Sequence, residues 1–179
     1  MKANLRVNGG QFLAELQRSR RLNTGVYDAR FSGLSGDLLS EYVGSDAQSD
    51  AITGAFTGAF NFYVRNELKF GQDKTYHTFD NHEGGGEWDI RHNDSERDLV
   101  QAMLKNPHLQ VEVENGLYDV VTPFFATEYT MEHLGLPEKL QKNIHLKYYE
   151  AGHMMYVHEG DLIKLKNNVG SFIENASKQ

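Results

Sequence analysis

From Asp94 onward this chain alternates between two hydrophobic periods, and the alternation limits the folds open to it. Ser95 to Leu104 carries apolar residues at helical spacing, with Ser95 placed as N-cap and Asn106-Pro107 closing the run. Leu109, Val111 and Val113 then alternate as in a strand over Leu109 to Glu114, ending at Asn115-Gly116. Thr122-Pro123 opens a second helix through Leu134, with Thr as N-cap, Pro as first helical residue and Gly135 as the stop. Ile144 to Tyr149 reads as another strand, and Gly160 or Asp161 begins a last helix through Phe172 and Ile173. Helix, strand, helix, strand, helix predicts an α/β layer in which parallel strands are flanked by helices.

The half before Asp94 is organised differently. Phe12, Leu13 and Leu16 predict a short helix after Gly9-Gly10, reaching about Arg20. Val26 to Phe31 reads as a strand, and the Gly-, Ser- and Asp-rich run from Ser32 to Asp50 as loop. A longer helix is expected from Ala51 to Leu68, where Gly54 and Gly58 suggest close packing against another helix. Residues 1–93 are therefore expected to form a mostly helical inserted or cap-like region, and 94–179 an α/β core segment.

Charge narrows the partners. The net charge is −7, and the densest cationic run, Arg18-Ser19-Arg20-Arg21, reads as a solvated helix end, so no nucleic acid is expected. No membrane partner is expected either, because Ala51 to Val64 is short and broken by Gly54, Gly58 and Asn61. There is no cysteine, hence no disulfide and no thiolate metal site. His82, Glu83, Glu87 and His92 surround Gly84-Gly85-Gly86, but their spacing is not that of a His-Glu-x-x-His site, so neither metal nor cofactor is assigned. His158 beside Glu159 reads as a capping or surface group, and Phe124, Phe125 and Tyr129 as core residues anchoring the turn before them.

Two residues stand where chemistry gathers in such layers, at the carboxyl ends of the strands. Asp119 follows the first strand through Asn115-Gly116, and His153 follows the second through Ala151-Gly152. A carboxylate held against the imidazole nitrogen facing away from a nucleophile fixes the tautomer and stabilises the imidazolium that forms. Acid before histidine is the chain order of α/β-hydrolase triads. Taken singly, Asp119 also reads as a turn residue and His153 as a loop histidine.

The stretch Asn106-Pro107-His108-Leu109 through Asn115-Gly116-Leu117-Tyr118-Asp119-Val120-Val121-Thr122-Pro123-Phe124-Phe125-Ala126-Thr127-Glu128-Tyr129 resembles the triad-aspartate block of bacterial serine carboxypeptidase-like peptidases. Tyr148-Tyr149-Glu150-Ala151-Gly152-His153-Met154-Met155-Tyr156 is similar to the histidine block of the same family. The likeness is densest from Trp88 to Ile173, and looser over Leu5 to Leu22 and Asp28-Ala29-Arg30-Phe31-Ser32-Gly33, which are similar to the helical region inserted into that family's hydrolase core. The resemblance implies the C-terminal part of an α/β-hydrolase core, with Asp119 as triad acid and His153 as general base. It further implies Met154 lining the pocket for the released C-terminal residue, and Trp88 near the substrate cleft. The implied reaction is serine attack on the last peptide bond of a peptide substrate, an acyl-enzyme, and release by water. Members typically favour acidic pH and hold the substrate's terminal carboxylate with protonated acidic side chains.

The chain departs from the family in one respect: it contains no Gly-x-Ser-x-Gly, and Gly33-Leu34-Ser35-Gly36-Asp37 is the nearest approach. It is therefore expected to be the C-terminal portion of a longer peptidase, with the N-terminal half of the same polypeptide as its partner and no activity alone. A leader directing export would then lie upstream, since Met1 to Gly10 lacks an apolar run. Two other readings stay open, a non-catalytic binding module on the same scaffold and an acyltransferase of the same family.

Overall fold

The computed structural model describes residues 6–41, 44–71, 73–76, 78 and 94–178, which divide into two units. The first holds the described residues of Met1–Asn23 and Ser32–Asn93, the second those of Thr24–Phe31 and Asp94–Gln179. The chain is mixed α/β, with one small parallel sheet among the described residues, which lies in the second unit. Residues 24–31, placed by sequence with the inserted region, thus belong with the second unit.

In the first unit, α1 (Gly9–Leu16) starts with a reciprocal cap in which Asn8 Oδ1 accepts the Gln11 N–H and Gln11 Oε1 accepts the Asn8 N–H. A single 3-10 turn, Arg18–Arg20, follows, and Arg21 leaves it in the left-handed region at φ 60°. The strands β1 (Leu22–Thr24) and β2 (Ser32–Leu34) pair as a short ribbon. The strand expected over Val26 to Phe31 is absent; those residues form the connection between β1 and β2. The helix α2 (Ala47–Phe62) begins four residues before its expected start, because Asp46 accepts the Ser49 N–H at 2.7 Å and caps it. It widens into a π turn over Tyr63–Glu67. A Cβ on Gly54 or Gly58 would meet nothing within 4 Å among the described residues, so the spacing marks no close helix contact among them. Phe56, Phe60 and Phe62 are exposed on this helix.

The second unit is built on β3 (Val111–Gly116) and β4 (Ile144–Tyr149), parallel and in register from Val111↔Ile144 to Gly116↔Tyr149. Before β3 comes α3 (Ser95–Lys105), with Asp94 rather than Ser95 at the N-cap and Asn106 at the C-cap. Between the strands lie α4 (Phe124–Glu132) and a short α5 (Glu138–Gln141) that periodicity did not mark. After β4 a 3-10 turn, Met155–Val157, leads into α6 (Glu159–Ala176).

The two faces of this sheet differ. Toward α4, Phe124 meets the Tyr148 ring edge-on at 6.2 Å, and the Tyr148 hydroxyl donates to Glu128 at 2.5 Å. The hydrogen bond to Glu128, then burial, pushes the Tyr148 phenol up to about 12. Phe124 and Glu128 sit four apart on one helical face, while Phe125 and Tyr129 lie one residue further round and are 69% and 59% exposed. Only the first of the three expected core aromatics therefore packs on the sheet. Toward α6 the contacts are largely polar. Asn168 Nδ2 donates to the Tyr149 hydroxyl at 2.8 Å, and Lys164 Nζ donates to Tyr148 O at 2.7 Å. Tyr149 is fully buried, and burial together with the neighbouring Glu114 carboxylate raises its phenol above the ordinary value. Glu112 is raised as well, by burial first and by Glu114 second. Leu162, Ile163, Val169 and Ile173 meanwhile lie exposed on α6.

Candidate active site

Both strands of the parallel pair run into tight loops at the same sheet end, and backbone proximity explains why. A Cβ on Gly116 would stand 2.2 Å from Gly152 O, and one on Gly152 would stand 2.1 Å from Tyr27 O and 2.5 Å from Asp28 Cβ. Glycine at both positions lets three segments of backbone meet where any side chain would force them apart. The ladder continues past the strands, with Leu117 N–H donating to Tyr149 O and Tyr118 N–H to Ala151 O, each at 3.0 Å. The acid and histidine loops are thus zipped together from their first residues.

Asp119 is 6% exposed, and its carboxylate is filled by its own loop. Oδ1 accepts the N–H groups of Val121 at 2.8 Å and Thr122 at 2.9 Å. Oδ2 accepts the Thr122 hydroxyl at 2.5 Å and lies 2.8 Å from His153 Nδ1. An ionised carboxylate has about four lone-pair sites, and here each has a donor. Thr122 was expected to cap the following helix; its hydroxyl turns back to Asp119 instead, and the N-cap position falls to Pro123, which makes no side-chain cap.

An ionised Asp119 can only accept at Oδ2, so the 2.8 Å contact is satisfied by the neutral imidazole tautomer whose hydrogen is on Nδ1. That leaves Nε2 as an unprotonated acceptor in the neutral ring, without a partner among the described residues. The ring is 40% exposed while the Asp119 side chain is 4% exposed, so the basic nitrogen is accessible and the acid behind it is not. The Tyr27 ring lies 5.3 Å from the imidazole, tilted by 43°, and limits its swing on one side.

Beside the pair is an open cavity of about 270 Å³, lined by Val113 to Gly116 with Asp119, Thr122, Thr127, His153 and Met155. The cavity takes in the carboxyl end of β3 and the loops that carry Asp119 and His153. Met154 does not line it; it is half-buried, and its carbonyl accepts the Val157 N–H at 3.1 Å. Trp88 lies outside the described residues, as do His82, Glu83, Glu87 and His92. His158 Nδ1 pairs with the buried Asp161 at 2.7 Å, away from Asp119. Ser35, the serine of the nearest approach to a nucleophile elbow, belongs to the first unit and donates its hydroxyl to Asp37 O at 3.2 Å.

Sequence reasoning missed the partners that hold this end together. Asp28 is 1% exposed and Arg30 reaches Glu150 O, yet no periodicity or spacing marks either residue. The one local sign was a carboxylate two residues before an arginine, between Tyr27 and Phe31.

Among the described residues no three His, Cys, Asp or Glu side chains are grouped to hold a metal ion, and no helix is long and apolar enough to cross a membrane. No family model, curated protein or solved structure matches the chain.

Proposed function

We propose that Asp119 and His153 are the acid and base of a serine-hydrolase triad on an α/β-hydrolase core, and that the reaction is serine-type removal of a C-terminal residue from a peptide. The observation that carries the first part is the 2.8 Å contact from Nδ1 to a carboxylate whose other lone pairs are filled, with Nε2 turned outward. Such an imidazole takes the proton from a serine hydroxyl as the oxygen attacks a carbonyl, and the buried carboxylate stabilises the imidazolium. The imidazolium then gives that proton to the departing amine, and water repeats the cycle on the acyl-enzyme. The choice of a peptide's last bond rests on the resemblance of the Asp119 and His153 blocks to serine carboxypeptidases.

The sequence has no Gly-x-Ser-x-Gly, so this reading assigns the nucleophile to polypeptide beyond these 179 residues. Among the described residues β3 pairs only with β4, so its other edge is where further chain bearing a serine would add to the sheet. The chain alone is expected to leave blocked dipeptides intact. Joined to the polypeptide encoded in frame upstream, it is expected to cleave them, and Asp119→Asn to lower kcat about ten-thousand-fold. An extended chain that cleaves nothing, or whose activity survives Asp119→Asn or His153→Ala, would contradict the proposal.

A further inference from the structure

The segment between β1 and β2 makes no regular structure, yet its backbone is bonded to both loops of the acid–base pair. On the acid side, Val26 O accepts the Val120 N–H at 3.1 Å and Ala29 N–H donates to Tyr118 O at 3.0 Å, so the residues on either side of Asp119 are both tied. On the histidine side, Tyr27 O accepts the His153 N–H at 2.7 Å, and the Gly152 N–H is directed at the Asp28 carboxylate.

Asp28 and Arg30 lock the segment in that position. Asp28 Oδ1 accepts the Arg30 backbone N–H and Nε, each at 3.0 Å, and Oδ2 accepts Nη2 at 2.7 Å. This is a two-pronged pairing of a planar guanidinium with a carboxylate, which fixes orientation as well as distance. The rest of the guanidinium is also used. Nη1 donates to Glu150 O at 2.6 Å, and the group lies 4.5 Å over the Tyr118 ring. One arginine thus touches the residue before Asp119 and the strand exit that leads to His153.

We infer that residues 26–30, through the Asp28–Arg30 pair, are a positioning element that sets the Asp119–His153 hydrogen bond. The inference rests on reading Asp119 and His153 as an acid–base pair. Asp28 and Arg30 touch no reacting atom; they act through the two loops. Asp119 keeps the three hydrogen bonds of its own turn when the clamp is lost, so the histidine is expected to move further than the acid.

The test uses the 179-residue chain and the proton NMR signal of His153 Nδ1–H, which a hydrogen bond to a buried carboxylate shifts to low field and protects from exchange. Asp119→Asn assigns the signal by abolishing it. Asp28→Asn keeps the shape of the side chain and removes its charge, and it is expected to lose the signal while circular dichroism shows a folded chain. Arg30→Met is expected to do the same, and Arg30→Lys to restore it in part. Arg30 is 39% exposed, so its variants can be read if Asp28→Asn does not fold. Folded variants that keep the wild-type signal overturn the inference, as does loss of fold in all three, which would make the segment structural only. A wild-type chain with no such signal overturns the pairing itself and the clamp with it.

Discussion

The two loops at the end of the parallel sheet reach the same point by different means. The acid loop, from Gly116 to Thr122, is tied to residues 26 and 29 through Val120 and Tyr118 but fills its own carboxylate: Asp119 takes three of its four hydrogen bonds from Val121 and Thr122. The histidine loop, from Glu150 to Met154, is held from outside. Its carbonyl at Glu150 and its N–H groups at Gly152 and His153 go to Arg30, Asp28 and Tyr27. A short polar side chain bonding its own backbone is a local event that a few residues specify. A loop without such a side chain needs a template, and here the template comes from far upstream.

Substitutions break this contrast in a definite order. Gly152→Ala is expected to do most damage, about 3 kcal/mol by chemical denaturation, because the new Cβ would strike the template's backbone at Tyr27 O and Asp28. A loss near zero would mean the loop is not seated on residues 27 and 28. Asp28→Asn comes next, at about 2 kcal/mol for a charge-assisted pair whose arginine remains partly hydrated. It also carries a pH signature. Burial pushes the Asp28 carboxyl up, but the Arg30 hydrogen bonds and charge, with the Gly152 N–H, hold it net below its ordinary 3.8. A carboxyl lowered by folding stabilises the fold above its ordinary value, and the contribution disappears as pH falls from 3.8 toward the lowered value. Denaturation midpoints of wild type and Asp28→Asn should therefore converge below that pH; a constant gap would show that the charge is not the cause.

Thr122→Val tests the loop that fills its own carboxylate. It removes one donor of the four on Asp119 and is expected to cost about 1 kcal/mol, with the His153 contact kept. Loss of the His153 Nδ1 signal in this variant would show that the acid loop is less autonomous than its hydrogen bonds imply. Gly170→Ala is the counterpoint to Gly152→Ala. Apart from its own helical turn, no described residue comes within 4 Å of the added Cβ, and α6 should gain about 0.7 kcal/mol from the lower chain entropy of alanine. Destabilisation there would point to a partner covering that face of the helix.

The same contrast explains what the sequence disclosed. Asp119 and His153 were legible because each follows a strand of regular pattern by a few residues, and parallel strands put such positions at one end. The β3–β4 pair was legible for the same reason, since Val111 and Val113 alternate with polar residues, as do Ile144, Leu146 and Tyr148 with His145 and Lys147. The clamp was not, because Arg30 and Glu150 are 120 residues apart and backbone carbonyls leave no trace in side-chain patterns. Val26 to Phe31 has the composition of a strand, but its hydrogen bonds go to loops instead of a ladder. Thr122 satisfies the N-cap rule, which is local, but a carboxylate 2.5 Å away takes its hydroxyl. Phe125 and Tyr129 fit helical periodicity, yet the face that meets β4 is fixed by Phe124 and Glu128.

The most direct test of the acid–base pair is the tautomer of His153, read from long-range proton–nitrogen correlations on the neutral ring in the wild-type chain and in Asp119→Asn. The expected result is an Nδ1–H imidazole with unprotonated Nε2 in the wild type, and loss of that preference when Asp119 becomes Asn. An Nε2–H ring, or a ring indifferent to Asp119→Asn, would mean that the carboxylate does not direct the imidazole and that the two residues are not an acid and its base.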